Sequence, residues 1–180
     1  MPSNKERLYV ALYARAGAAQ MPGLEDTYHW ALIVGPKTEV EDGRGMRYHA
    51  KERLVGPTRM EWYYEEQNIP LTSTQMLLAR ILIAKVEQRD RLERVLRDQG
   101  RMRQGEVGWN CVVWIREALE ELWRDGKALG TRVVGWDRIR DAAMSYVKKK
   151  KDQHRYDGKG QFDMSKAATF DLIEEKETIP

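Results

Sequence analysis

Between Leu8 and Val86 the apolar residues fall in short β-forming runs separated by turn signals, and beyond Asp90 they recur at helical spacing. That segregation restricts the chain to an α+β fold, with an antiparallel sheet packed against helices. Residues 8–13 predict a first strand, and the Gly-, Ala- and Pro-rich stretch 16–26 a loop. Residues 28–34, with Trp30, Leu32, Ile33 and Val34, read as a buried strand closed by Gly35 and Pro36. The Asp42-Gly43 turn then sends residues 46–54 back antiparallel to it. Further strands are expected over 59–67, after Gly56-Pro57, and over 76–86. Met46, Met60 and Met76 are expected in the core.

Three helices follow. Asp90 stands three residues before Glu93 in the reciprocal capping spacing, Leu92, Val95 and Leu96 share a face, and Gly100 is the expected end. The clearest helix is 110–124, where Val112, Ile115, Leu119 and Leu122 form a stripe, Asn110 is the natural N-cap, and Asp125-Gly126 terminates it. A third helix begins near Asp137 and uses Ile139, Ala143, Tyr146 and Val147 before running into the lysines 148–151, which read as a solvated helix end. A chain of 180 residues fits one domain, expected over 1–152, with 153–180 as a mixed-charge tail or extension.

With 31 basic and 28 acidic residues spread along the chain, the net charge of +3 gives no field that would gather nucleic acid. No apolar run reaches the 18 or more residues of a spanning helix, and Glu6 and Arg15 closely bracket the apolar start, which suits a strand better than a secretion signal. A cytoplasmic protein without an integral membrane segment is therefore expected. One Cys and three widely separated His offer no paired metal-ligand spacing, and neither a phosphate-binding Gly loop nor a Gly-x-Ser-x-Gly elbow occurs. No metal and no cofactor are expected.

The single cysteine cannot form an internal disulfide, which fits a reducing compartment. With Asn110 as cap, Cys111 falls in the first helical turn, where free backbone amides and the positive end of the helix dipole favour a thiolate and could hold an oxyanion. A nucleophilic cysteine needs an imidazole in hydrogen-bond reach, oriented by a further polar group. His29 opens a strongly hydrophobic strand, and His49 lies on the strand paired with it. His154, after the lysines, has no such setting. Trp30 and Trp109 are candidates to wall a substrate groove beside Asn110.

Taken in order, His29-Trp30 opening a strand that ends in Gly35, then His49 on the next strand, then Asn110-Cys111 opening a helix, this pattern resembles the lecithin:retinol acyltransferase and phospholipid acyltransferase family. The resemblance implies a circularly permuted papain-like fold, with Cys111 as nucleophile, His29 as general base and His49 orienting it. The implied activity is hydrolysis or transfer of an acyl group from a small-molecule or peptide amide or ester. The order also resembles the permuted deSUMOylase-like and deubiquitinase-like cysteine peptidases. A catalytically silent binding module of the same fold is the reading from another class.

Overall fold

In a computed structural model, residues 4–72, 74, 76–98 and 102–180 are described. The chain runs β1 (Arg7–Ala14), a short 3-10 turn (Glu25–Thr27), β2 (Tyr28–Gly35), β3 (Arg44–Val55), β4 (Arg59–Pro70), β5 (Leu77–Val86), α1 (Arg89–Asp98), α2 (Cys111–Asp125), β6 (Leu129–Arg132), α3 (Trp136–Asp152), β7 (Ala168–Asp171) and β8 (Lys176–Ile179). The strands form one sheet in the order β4-β3-β2-β1-β5-β7-β8, with β6 also paired to β5. The fold is α+β. The sheet is mixed, not purely antiparallel, because β7 runs parallel to β5 with Ala79 opposite Ala168.

β1 lies between β2 and β5 and is buried on both faces, which is why residues 8–13 read as an unbroken apolar run. Leu8, Val10, Leu12, Trp30, Leu32 and Val34 point to one face and pack with Val112, Ile115 and Leu119 of α2 and with Ile139, Ala143 and Val147 of α3. The alternate residues Tyr9, Ala11, Tyr13, Ala31 and Ile33 form a second core on the opposite face with Leu71 and Ala167.

α1 begins two residues earlier than a cap at Asp90 implies, so Asp90 lies inside it; the first backbone bond runs from the Leu92 N–H to the Gln88 carbonyl. Glu93 does not reach back as a cap. It accepts instead from the Tyr48 hydroxyl at 2.7 Å and from Arg89 at 2.9 Å, tying α1 to β3. The end expected at Gly100 lies outside the described residues. Met46 packs against the core as expected, but Met60 and Met76 are exposed.

The boundary drawn at residue 152 has no counterpart in the sheet, since residues 153–180 supply β7 and β8. Short strands of four residues leave too few periodic positions to register in sequence. The lysine run is likewise not wholly solvated. Lys150 is 1% exposed, with Nζ 2.6 Å from Glu177 of β8, and the same carboxylate accepts from Tyr146 at 2.7 Å. Helical geometry turns one of four consecutive lysines inward, and β8 supplies its counter-charge. Lys150→Met is expected to lower unfolding free energy by about 3 kcal/mol in urea titration, because Glu177 is left partly buried without its cation. A loss below about 0.5 kcal/mol, typical of surface pairs, would contradict this role.

Candidate active site

The β2–β3 ladder is short: Val34 pairs with Met46, Ile33 with Arg47 and Leu32 with Tyr48, and no pairing continues toward Tyr28. β3 meanwhile stays paired with β4 over its full length. His29 and His49 lie on either side of the unpaired stretch, and the N-terminus of α2 enters beside them. Its cap is the one expected. Asn110 is extended, at φ −156°, and its side-chain oxygen accepts from the N–H groups of Val112 and Val113 at 3.0 and 3.1 Å.

The loop before α2 is anchored to the sheet edge. The Gln104 side-chain amide accepts from the Trp62 N–H at 2.9 Å and donates to the Trp62 carbonyl at 2.6 Å, taking the place of a strand partner on β4. Cys111 and the histidines thereby line one cavity of about 320 Å³, together with Tyr13, Arg15, Asp26, Lys51, Trp62 and Met76. Asn110 also lines it.

The imidazoles form a hydrogen-bonded run with a residue that pattern reading passed over. His29 Nε2 lies 2.8 Å from His49 Nδ1, and His49 Nε2 lies 2.8 Å from Glu65 Oε1. Glu65 sits directly opposite His49 in the β3–β4 register. Its signal was present in the sequence: the tight turn at Gly56-Pro57 pairs Val55 with Arg59, and counting back along both strands brings His49 to Glu65.

Proton positions follow from chemistry. Burial alone would raise the Glu65 pKa, but the His49 hydrogen bond and the charges of Lys51 and Arg47 outweigh it and hold the carboxyl below its ordinary value. An ionised carboxylate only accepts, so His49 carries its proton on Nε2 and offers a lone pair at Nδ1. His29 must then donate through Nε2. Its Nδ1 is left as an unprotonated base.

Both rings are neutral at pH 7. Burial, then the neighbouring His49 and the cations Arg47, Lys51 and Arg15, lower His29 from 6.5 to about 3. Burial lowers His49 to about 4 against the opposing pull of Glu65. In the unfolded chain these rings take up protons below about pH 6.5. The unfolded state then binds more protons than the folded one, so stability is complete above pH 6.5 and falls as pH drops toward 4 and 3. At pH 5 the cost is up to about 2 kcal/mol per ring. Urea titrations at pH 7 and pH 5 should show this loss, and a His29→Asn, His49→Gln variant should show much less of it.

The thiolate expected at the helix start is not the resting form. Cys111 is 4% exposed, and burial raises its pKa more than the opposing N–H groups of Trp30, Val112 and Cys111 and the charge of Arg15 lower it. The contact with the Trp30 N–H places the sulfur beside the residue that follows His29. No hydrogen bond joins the thiol to His29 among the described residues. Two neutral partners gain little by pairing, although both line the same cavity.

The two tryptophans expected to wall the groove are elsewhere. Trp30 is fully buried, tilts against Trp136 with centroids 5.6 Å apart, and donates its indole N–H to the Glu25 carbonyl at 2.8 Å. Trp109 is buried and donates to Glu117 at 3.2 Å. Trp109 does meet Trp62 edge to face at 5.5 Å, and Trp62 is the tryptophan that lines the cavity. Outside the cavity His154 is paired with Asp157 at 2.6 Å. Among the described residues no cluster of three His, Cys, Asp or Glu is placed to hold a metal ion, and no helix is long and apolar enough to cross a membrane.

The fold and cavity define an α+β protein in which a buried thiol shares a cavity with a carboxylate-oriented histidine pair. The chain belongs to a family of unknown function, DUF6914, whose model matches residues 5–179 and so takes in residues 153–179 along with the rest. No curated protein and no solved structure matches the chain.

Proposed function

We propose that the chain is a thiol-dependent acyl-transfer enzyme with a circularly permuted papain-like fold, acting on an amide or ester through an acyl thioester at Cys111. The observation that carries this reading is the run Glu65, His49, His29, which leaves His29 Nδ1 free to take a proton in the cavity that holds the only thiol. The order His29, His49, Asn110-Cys111, by which the chain resembles the lecithin:retinol acyltransferase family, supports the same reading.

When a donor fills the cavity, the Cys111 proton passes to His29 Nδ1 as Sγ bonds to the carbonyl carbon, and the π electrons move to oxygen. The Cys111 N–H and the Arg15 charge favour that oxyanion. His29 then protonates the leaving nitrogen or oxygen as its bond to carbon breaks. Water or another acceptor, deprotonated by His29, attacks the thioester and restores the thiol. His49 and Glu65 hold the ring and spread the positive charge that develops on it.

The test uses 4-nitrophenyl acetate as acyl donor, with release of 4-nitrophenol followed by absorbance and the protein by intact-mass spectrometry. An acyl adduct mapped to Cys111, formed in the wild type and lost in His29→Ala, is the expected result. The raised thiol pKa and the missing thiol–imidazole hydrogen bond favour a second reading, a silent binding module. That reading predicts no adduct and an alkylation rate with iodoacetamide that His29→Ala leaves unchanged.

A further inference from the structure

A larger cavity, of about 910 Å³, lies at the other end of β1 and shares no lining residue with the Cys111 cavity. Its floor belongs to the sheet face that carries the second core. Arg7 and Tyr9 come from β1, Arg80 from β5 and Thr169 from β7, while the loop between β2 and β3 brings Glu39 to its wall.

Two buried guanidiniums on one sheet face are an unusual expense, since each charge must be matched to be tolerated there. Arg80 is 1% exposed. Its Nε and Nη2 both donate to the Thr169 hydroxyl, at 3.1 and 3.0 Å, and Nη1 donates to Glu39 at 2.5 Å. The guanidinium also lies 4.8 Å from the centroid of the Tyr9 ring. Its carboxylate partner is thus a loop side chain that is itself 26% exposed.

Arg7 is 8% exposed and has no carboxylate within 4.0 Å among the described residues; its Nη1 donates only to the carbonyls of Lys5 and Glu6. Of the remaining cations of the cavity, Lys37 also has no carboxylate within 4.0 Å among the described residues but is exposed to solvent, and two others are paired. Lys176 is paired with Glu174 at 2.6 Å, and Lys166 reaches Asp163 at 4.0 Å. Arg7 stands one same-face step from Tyr9, about 7 Å along the strand. Tyr9, which the Arg80 guanidinium overlies, is thus one such step from Arg7, whose charge is felt by Glu174 but which has no carboxylate in direct contact among the described residues.

We propose that this cavity binds a short aliphatic dicarboxylate, one carboxylate replacing Glu39 on Arg80 and Thr169 and the other neutralising Arg7. The carboxylate chemistry is argued from Glu39, which already occupies the Arg80 fork with the group the ligand would present. The ligand must displace it, so Glu39 acts as an internal competitor. A purely structural Arg80–Glu39 pair would have no such property.

Succinate titrated into the full chain, followed by isothermal titration calorimetry, tests the site. Wild-type protein should show saturable binding, Glu39→Gln should bind about 10-fold more tightly because the competitor is gone, and Arg7→Gln should bind about 10-fold more weakly. Arg7→Gln keeps the test decisive should an Arg80 variant fail to fold. Absence of saturable binding in both the wild type and Glu39→Gln would overturn the proposal, as would binding that neither substitution changes. Saturable binding of inorganic phosphate with succinate silent would overturn the dicarboxylate assignment.

Discussion

Cys111→Ala is expected to reduce 4-nitrophenyl acetate turnover by roughly 10,000-fold or more, to the rate of the uncatalysed ester, and to abolish the acyl adduct. The size of the effect follows from chemistry with no substitute. Cys111 is the only thiol in the chain, and among the described residues no serine or threonine lines its cavity. The fold should survive, because the Asn110 cap bonds to Val112 and Val113 and does not involve the sulfur. Removing one buried sulfur should cost about 1–2 kcal/mol in urea titration. Turnover within tenfold of wild type in folded Cys111→Ala would rule out the thioester route.

Glu65→Gln is expected to lower kcat by about 1,000-fold while KM stays within about twofold. The substitution preserves shape but replaces an acceptor with a group whose amide can donate to His49 Nε2. His49 would then carry its proton on Nδ1 and donate it to His29 Nε2, so the His29 proton would move to Nδ1, the atom that must receive the thiol proton. The base is lost by a change of tautomer two rings away. Glu65→Asp retains the acceptor and should recover part of the loss, whereas a merely structural Glu65 would make Asp, with its shorter reach, as damaging as Gln. Equal kcat values in wild type and Glu65→Gln would remove Glu65 from the machinery.

Much of the scaffold was legible because long segments repeat their signals. The five long strands and three helices follow from apolar runs, Asp-Gly and Gly-Pro turns and the Asn110 cap, all of which act over neighbouring residues. β6, β7 and β8 were not legible, since four residues carry almost no periodicity and their pairing partners lie far off in sequence. Lys150 and Glu93 were misread for a related reason. Each looked like a local electrostatic device, a solvated helix end and a capping box, but each is claimed by a partner on a distant element, Glu177 and Tyr48.

At the site, His29, His49, Asn110 and Cys111 stand out by residue type and local setting alone, as does the fact that two strands of one hairpin carry the histidines. What only the tertiary structure decided is their environment. Burial overrides the helix dipole at Cys111 and makes the thiol neutral, and it discharges both rings, because desolvation depends on everything packed around a group and not on its neighbours in the chain. The exchange of Trp109 for Trp62 on the cavity wall, and the carboxylate that sets the histidine tautomers, likewise arise from strand register and loop docking. Local sequence determines which segments form and which groups are available; the long-range packing of those segments determines which groups meet and what charge they carry there.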